Sequence, residues 1–300
     1  MKTADVLCTP VPVLARSRFA DYLELAKLRI SVMVLITVAA GAILATVGPI
    51  DWLALFQTLL GTAFVATGAS ALNQVLERDS DALMRRTESR PLPAGRLTPL
   101  EVGIFGVVIA SVGVCYLTLA GQLMAALVAA VTFLAYVFVY TPLKRVTTLN
   151  TLIGAVPGAM PPVIGWVSVR GTIDFEIVVL FLILFLWQVP HFLAIAWIYK
   201  RDYGRAGLQM LPVIDDSGLV TGRQMVSYCL ALLSVSLLPL SQGRAGMLYL
   251  AGAVLLGGLF LISAIAFTRR PGLDRARSVL RASLVYLPLL LALLLIDSPH

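Results

Sequence analysis

Long apolar runs separated by short polar stretches alternate along almost the whole chain. Nine of them have about the 20 residues that a helix needs to cross a bilayer. Their limits fall near 29–48, 52–77, 100–119, 122–141, 150–168, 174–199, 225–241, 246–267 and 279–296. Backbone groups in lipid must find partners locally, so the runs predict helices and an all-α membrane protein. A barrel would need alternating strands of about ten residues, and the unbroken runs argue against it. No polar linker divides the chain, so 1–300 reads as one transmembrane domain, with 1–20 as a poorly ordered cytoplasmic tail.

The polar stretches are not equivalent. With the N-terminus in the cytoplasm, every one of the 23 Lys and Arg residues except Arg170 and Arg244 falls on the cytoplasmic side. This follows the positive-inside rule and puts the C-terminus, ending at His300, in the periplasm. The outer turns near Gly48-Pro49, Gly121 and Gln242-Gly243 are short, whereas the loops after the second and sixth runs are long and charged. Long loops on a scaffold tend to carry function, so the chemistry is expected at the cytoplasmic face.

Composition agrees: 59% of residues are hydrophobic and 13% charged, with a mean hydropathy of +0.92. A soluble domain carries about 25% charged residues. The net charge of +7 therefore marks topology and gives no reason to expect a nucleic acid partner. Cys8, Cys115 and Cys229 lack C-x-x-C spacing, so neither a disulfide framework nor a zinc site is expected. Residues 1–20 contain no signal-peptide core and no long Arg- and Ser-rich extension, which favours a bacterial inner membrane.

The stretch that carries chemistry is N-Q-V-L-E-R-D-S-D-A-L-M-R-R-T-E-S-R-P-L-P-A-G-R, from Asn73 to Arg96. Asn73, Glu77 and Asp81 fall at i, i+4 and i+8, which puts three oxygen-bearing side chains on one helix face. Arg85, Arg86, Arg90 and Arg96 follow. Oxygens followed by guanidiniums suit a diphosphate held by Mg²⁺ on one side and by Arg on the other. The end of the sixth run repeats the composition, with Asp202 among Lys200, Arg201 and Arg205. Two such ends facing each other would enclose a Mg²⁺-diphosphate; the alternative for Asp202 alone is a helix-end ion pair with Lys200 or Arg205. Lys144, in Y-T-P-L-K-R, reads either as a phosphate contact or as a topology signal. Gly154, Gly158 and Gly165, with Pro157, Pro161 and Pro162, bend the fifth helix, either to line a pocket or for packing alone. Gln188 and His191 are polar groups at membrane depth, where such residues are functional candidates. For His191 three readings stand: pocket lining, a partner for a carbonyl freed by Pro190, or a haem ligand.

The 73–96 stretch resembles the signature of the UbiA-type membrane prenyltransferases, N-D-x-x-D-x-x-x-D, with Gln74 at the first Asp and Glu77 at the second. That departure is similar to the haem-modifying branch of the family. So are Y-T-P-L-K-R-x-T-x-x-N-T-x-I-G-A (140–155), P-H-F (190–192) and D-Y-x-R-A-G-x-x-M-L-P-V (202–213). The resemblance covers about Lys27 to Pro212. It implies nine helices around a central cavity open sideways to lipid. It also implies Mg²⁺-dependent transfer of the farnesyl group of farnesyl diphosphate to the 2-vinyl group of haem b. On the matched positions, Asn73, Glu77, Asp81 and Asp202 would be catalytic and hold Mg²⁺. Lys27, Arg29, Arg86, Arg90, Lys144 and Lys200 would contact diphosphate. Asn150, Gln188, His191, Tyr140 and Tyr203 would line the substrate pocket. The family's second motif, usually D-x-x-x-D, is reduced here, with Tyr203 four residues before Gly207, which leaves the number of Mg²⁺ ions open. Tyr140, Trp187 and Trp197 are candidates to steady an allylic cation by cation–π contact. Haem A synthase or terminal oxidase assembly factors are the partners implied. Three rival readings stay open: a prenyltransferase for an aromatic quinone precursor, a transporter, and a haem-carrying subunit.

Overall fold

The computed structural model describes residues 17–297; Lys2, Cys8, Arg16 and His300, with the tails that hold them, lie outside the described residues. The elements in order are α1 Arg18–Leu25, α2 Leu28–Ala45, α3 Trp52–Ala82, α4 Pro99–Leu119 and α5 Leu123–Leu134. The last continues through a π-helical turn, Ala135–Tyr140, into α6 Thr141–Leu143. Then come α7 Asn150–Ala159, α8 Pro161–Arg170, α9 Phe175–Ile198, α10 Lys200–Arg205 and α11 Leu211–Ile214. The chain closes with α12 Leu219–Val235, α13 Leu238–Ser241, α14 Met247–Arg269 and α15 Leu273–Asp297. Among the described residues these form nine spans long and apolar enough to cross a membrane, and the chain is a multi-pass membrane protein. Ile36, Val108, Leu127, Phe138, Leu255 and Ile262 are more than half exposed, as apolar side chains facing lipid would be.

Close backbone approach holds the front of the bundle together. On α3 and α4, a Cβ added to Gly68 would strike the Gly106 carbonyl, and one added to Gly113 would strike that of Gly61. The same holds between α2 and α8, where Gly165 lies against the Val38 carbonyl and Gly41 against the Pro162 carbonyl. Small residues at these crossings supply packing where lipid gives no hydrophobic drive for helix association. At the back, α9 packs on α7, α12 and α15, and its Ile177, Ile183 and Leu193 are among the most buried side chains.

Three boundaries differ from the apolar pattern, each for a local reason. α3 extends to Ala82, five residues past the apolar run, which brings Asp81 into the helix. α12 begins at Leu219 because the Asp215 carboxylate accepts the Gly218 and Thr221 N–H groups and the Ser217 hydroxyl. α15 begins at Leu273, so Arg275, Arg277 and Arg281 lie on the helix and not in a loop before it. The fifth span breaks at Met160, between Pro157 and Pro161, as its prolines predict. Its glycines serve packing: Gly154 admits the Tyr140 ring and Gly158 the Gln188 amide. Pro142 offers no N–H, and the ladder just before it widens to the π turn, where Thr141 Oγ1 donates to the Tyr136 carbonyl at 2.8 Å.

Candidate active site

The Asn73–Glu77–Asp81 stripe lies on the last turns of α3, and each member faces a cationic side chain from a different segment. Lys27 Nζ donates to Asn73 Oδ1 at 3.1 Å, Lys144 Nζ pairs with Glu77 Oε1 at 2.6 Å, and Arg90 Nη1 pairs with Asp81 Oδ2 at 2.6 Å. Thr141 Oγ1 accepts the Asn73 amide at 3.2 Å, which fixes the amide with its oxygen toward Lys27. Asn73 and Asp81 are each 1% exposed, so the stripe is not the open helix end that the run of charges suggests.

Lys27 reaches the stripe through a built kink. It separates α1 from α2 with φ 47° and ψ 52°, and it is the one non-glycine residue with positive φ among the described residues. A lysine in the left-handed region costs of order 1 kcal/mol or more and persists only where its surroundings impose it. Here Ser70 Oγ and Gln74 Nε2, both on α3, donate to the Leu25 carbonyl at 2.7 and 3.2 Å and pin the end of α1. Gln74 therefore faces α1 and not the stripe. Burial, aided by the nearby Arg90 charge, pulls the Lys27 ammonium down to about 8.

Lys144 follows α6, with its ammonium 4.5 Å from the centroid of the Tyr140 ring. Burial opposes its charge, but Tyr140 and Glu77 more than offset this and raise its pKa above the ordinary lysine value. Arg145 donates to Ser80 Oγ at 3.2 Å. Arg86 leaves the stripe: it lies over the rings of Tyr199 and Tyr203, and its Nη2 donates to the Tyr203 hydroxyl at 3.1 Å. Burial raises the Tyr203 phenol, while the Arg86 and Lys144 charges oppose this, so α10 sits within electrostatic reach of the stripe. The Gln209 N–H also donates to the Lys144 carbonyl at 2.9 Å.

Several expected members are placed elsewhere. Asp202 is ion-paired with Arg205 one helical turn away. Among the described residues no three His, Cys, Asp or Glu side chains gather as a metal site, so Asp202 does not join Glu77 and Asp81. Lys200 turns to Asp216, at 3.0 Å, and to the Asp215 carbonyl. Arg29 is exposed on α2. Arg96 ties Asp21 of α1, at 2.8 Å, to the Ser89 carbonyl and so braces the loop. The amide of Asn150 is spent on the Thr147 and Gln209 carbonyls, a staple between two loops. Gln188 donates to the Leu184 carbonyl. His191 stacks on Trp187, and its Nδ1 lies 2.7 Å from Ser283 Oγ on α15. Trp187 Nε1 donates to the Ser283 carbonyl, and Trp197 meets Phe267 edge-on, which leaves Tyr140, of these three candidates, beside the stripe. Thr141 and Ser70 were not singled out in the sequence; proximity to Pro142 and i, i+4 spacing to Gln74 are the signals they carry, while Gln74 was noted for its place in the family signature and not for the bond it makes to α1.

The donor set fits Mg²⁺, a hard ion that takes oxygen ligands and completes its shell with phosphate and water. Two carboxylates and an amide oxygen lie one helical turn apart, and three cations stand opposite.

The family model for the UbiA prenyltransferase family matches residues 34–290. A protein of Solibacter usitatus named protoheme IX farnesyltransferase is 47% identical over 288 residues, covering 93% of this chain and 99% of its own length. A solved structure concerning digeranylgeranylglyceryl phosphate synthase in membranes superposes with a TM-score of 0.79 at 19% identity, covering 93% of this chain and 98% of that one. A UbiA homologue from Archaeoglobus fulgidus bound to GPP and Mg²⁺ superposes with a TM-score of 0.64 at 14% identity, covering 91% and 99%. At such identities the two structures show the fold. The chain belongs to the UbiA prenyltransferase family.

Proposed function

We propose that this protein transfers the farnesyl group of farnesyl diphosphate to the 2-vinyl group of haem b, releasing diphosphate and giving haem O. The observation that carries the reading is the oxygen stripe of α3 with Lys27, Lys144 and Arg90 facing it. The relatives named protoheme IX farnesyltransferase support the choice of substrates. Asn73, Glu77 and Asp81 would hold Mg²⁺, which when bound supplies charge neutralisation for the departing diphosphate. Lys144, fixed on Tyr140, and Arg90 and Lys27 provide further positive charge where the diphosphate gathers negative charge. Catalysis is then mainly electrostatic: the C–O bond of farnesyl diphosphate breaks, farnesyl C1 bonds to the vinyl terminus, and water adds to the other vinyl carbon with loss of a proton. The apolar helices behind Tyr140 keep water from the allylic cation until that bond has formed. The site would face the cytoplasm of a bacterial inner membrane, and the product would pass to haem A synthase or terminal oxidase assembly.

The test uses purified protein in detergent with farnesyl diphosphate and haem b, in Mg²⁺ or in EDTA, and mass spectrometry of the extracted haem. A Mg²⁺-dependent gain of one farnesyl plus one water is expected. Unmodified haem, with diphosphate released only when an aromatic acceptor is supplied, would replace haem with a quinone precursor.

A further inference from the structure

The cations of the stripe are committed to its oxygens, but a second basic group on the same end of the bundle is not. Arg85, from the loop after α3, and Arg201 and Arg205, from α10, line one cleft of about 470 Å³ with Asp202 and Gly204. Arg205 is paired with Asp202, whereas Arg85 and Arg201 are exposed and have no acidic partner among the described residues. Three guanidiniums against one carboxylate leave a surplus of two positive charges. The cleft adjoins the stripe, because Arg86 bonded to Tyr203 joins its two walls and Gln209 bonded to Lys144 ties the exit of α10 to the stripe.

Protohaem carries its vinyl groups on one edge and two propionate carboxylates on the opposite edge. When a vinyl group reaches into the apolar interior to meet farnesyl C1, the carboxylates must stay at the wet end, since burying them unpaired is costly. Planar guanidiniums match carboxylates in two-point hydrogen bonding, and the surplus charge of the cleft equals that of the two propionates. We propose that Arg85 and Arg201, aided by the Arg205–Asp202 pair, bind the two carboxylates of the porphyrin acceptor and so set which edge of the ring faces the stripe. This rests on haem b being the acceptor.

The test compares wild type with the Arg85→Gln/Arg201→Gln double variant, using haem b and its dimethyl ester. Both residues are exposed and without an acidic partner among the described residues, so the variant should fold; size-exclusion profile and farnesyl diphosphate KM serve as controls. The expected result is a rise of about tenfold or more in haem KM, with farnesyl diphosphate KM unchanged. With the dimethyl ester, wild type and variant should be equally poor. An unchanged haem KM, or the same loss with acid and ester, overturns the proposal, as does a rise in farnesyl diphosphate KM in place of haem KM. If wild type does not farnesylate haem at all, the acceptor reading falls and the anchor falls with it. Wild-type turnover matched by the variant refutes the anchor alone.

Discussion

Asp81→Asn removes one charge from the stripe and almost no volume. The Asp81 side chain is 1% exposed, and its Oδ2 lies 2.6 Å from Arg90 Nη1, whose side chain is 21% exposed. Removing one partner of a buried ion pair costs about 3–5 kcal/mol, because the other charge is left uncompensated. Water at the partly exposed Arg90 relieves some of this, so a loss of about 2–3 kcal/mol is expected. The Asp81→Asn/Arg90→Gln double variant restores a neutral pair and should regain about half of that stability. Turnover should behave differently. Losing one of the carboxylates that would hold Mg²⁺ for the leaving diphosphate should lower kcat by about 10²–10³, and the double variant should not recover it, since the Arg90 cation has gone as well. Thermal unfolding in detergent reads the first effect and haem farnesylation the second. If Asp81→Asn stays within threefold of the wild-type kcat, or if turnover returns together with stability in the double variant, Asp81 serves folding only and the assignment fails.

Gln74→Leu removes one of two donors on the Leu25 carbonyl and should loosen the kink that presents Lys27. We expect farnesyl diphosphate KM to rise about tenfold with haem KM unchanged; equal changes in both would show a general packing defect. Lys200→Ala should change steady-state kinetics less than about twofold, because its side chain is spent on an ion pair with Asp216, which is 95% exposed. Asp215→Ala should cost about 1 kcal/mol in thermal stability through loss of a helix cap. Burial raises the Asp215 carboxyl, but the bonds from Thr221, Ser217 and Gly218 outweigh it and hold the pKa below the ordinary value. Its stabilisation is complete above about pH 4 and fades as pH falls through the folded-state value, so Asp215→Asn should flatten the acid side of the stability profile.

The membrane helices were legible because each is an uninterrupted apolar run, and runs of that length have one solution in lipid. The stripe was legible for a similar reason: Asn73, Glu77 and Asp81 share a helix, and spacing fixes their common face. What spacing does not carry is which loop side chains turn toward that face. Among Arg85, Arg86, Arg90 and Arg96, only Arg90 reaches the stripe, because the others are taken by the second cleft, by Tyr203 and by Asp21. Asp202 has the right residue type at the right end of the bundle, yet it is ion-paired with Arg205, one turn along the same short helix. Burial of Asp81 was also hidden, since it depends on the 83–98 loop folding back over the helix end and bringing Arg90 with it. Gln188 and His191 look functional by composition, but contacts with Leu184 on their own helix and with Ser283 on α15 account for them.

The most direct measurement is a crystal structure with Mn²⁺ in place of Mg²⁺ and a farnesyl diphosphate analogue that cannot ionise, with anomalous scattering used to locate the metal. The account predicts a metal peak against Asn73, Glu77 and Asp81, with the diphosphate oxygens on Lys27, Lys144 and Arg90. A peak beside Asp202 instead, with the diphosphate among Arg85, Arg201 and Arg205, would contradict both the assignment of the stripe and the carboxylate anchor.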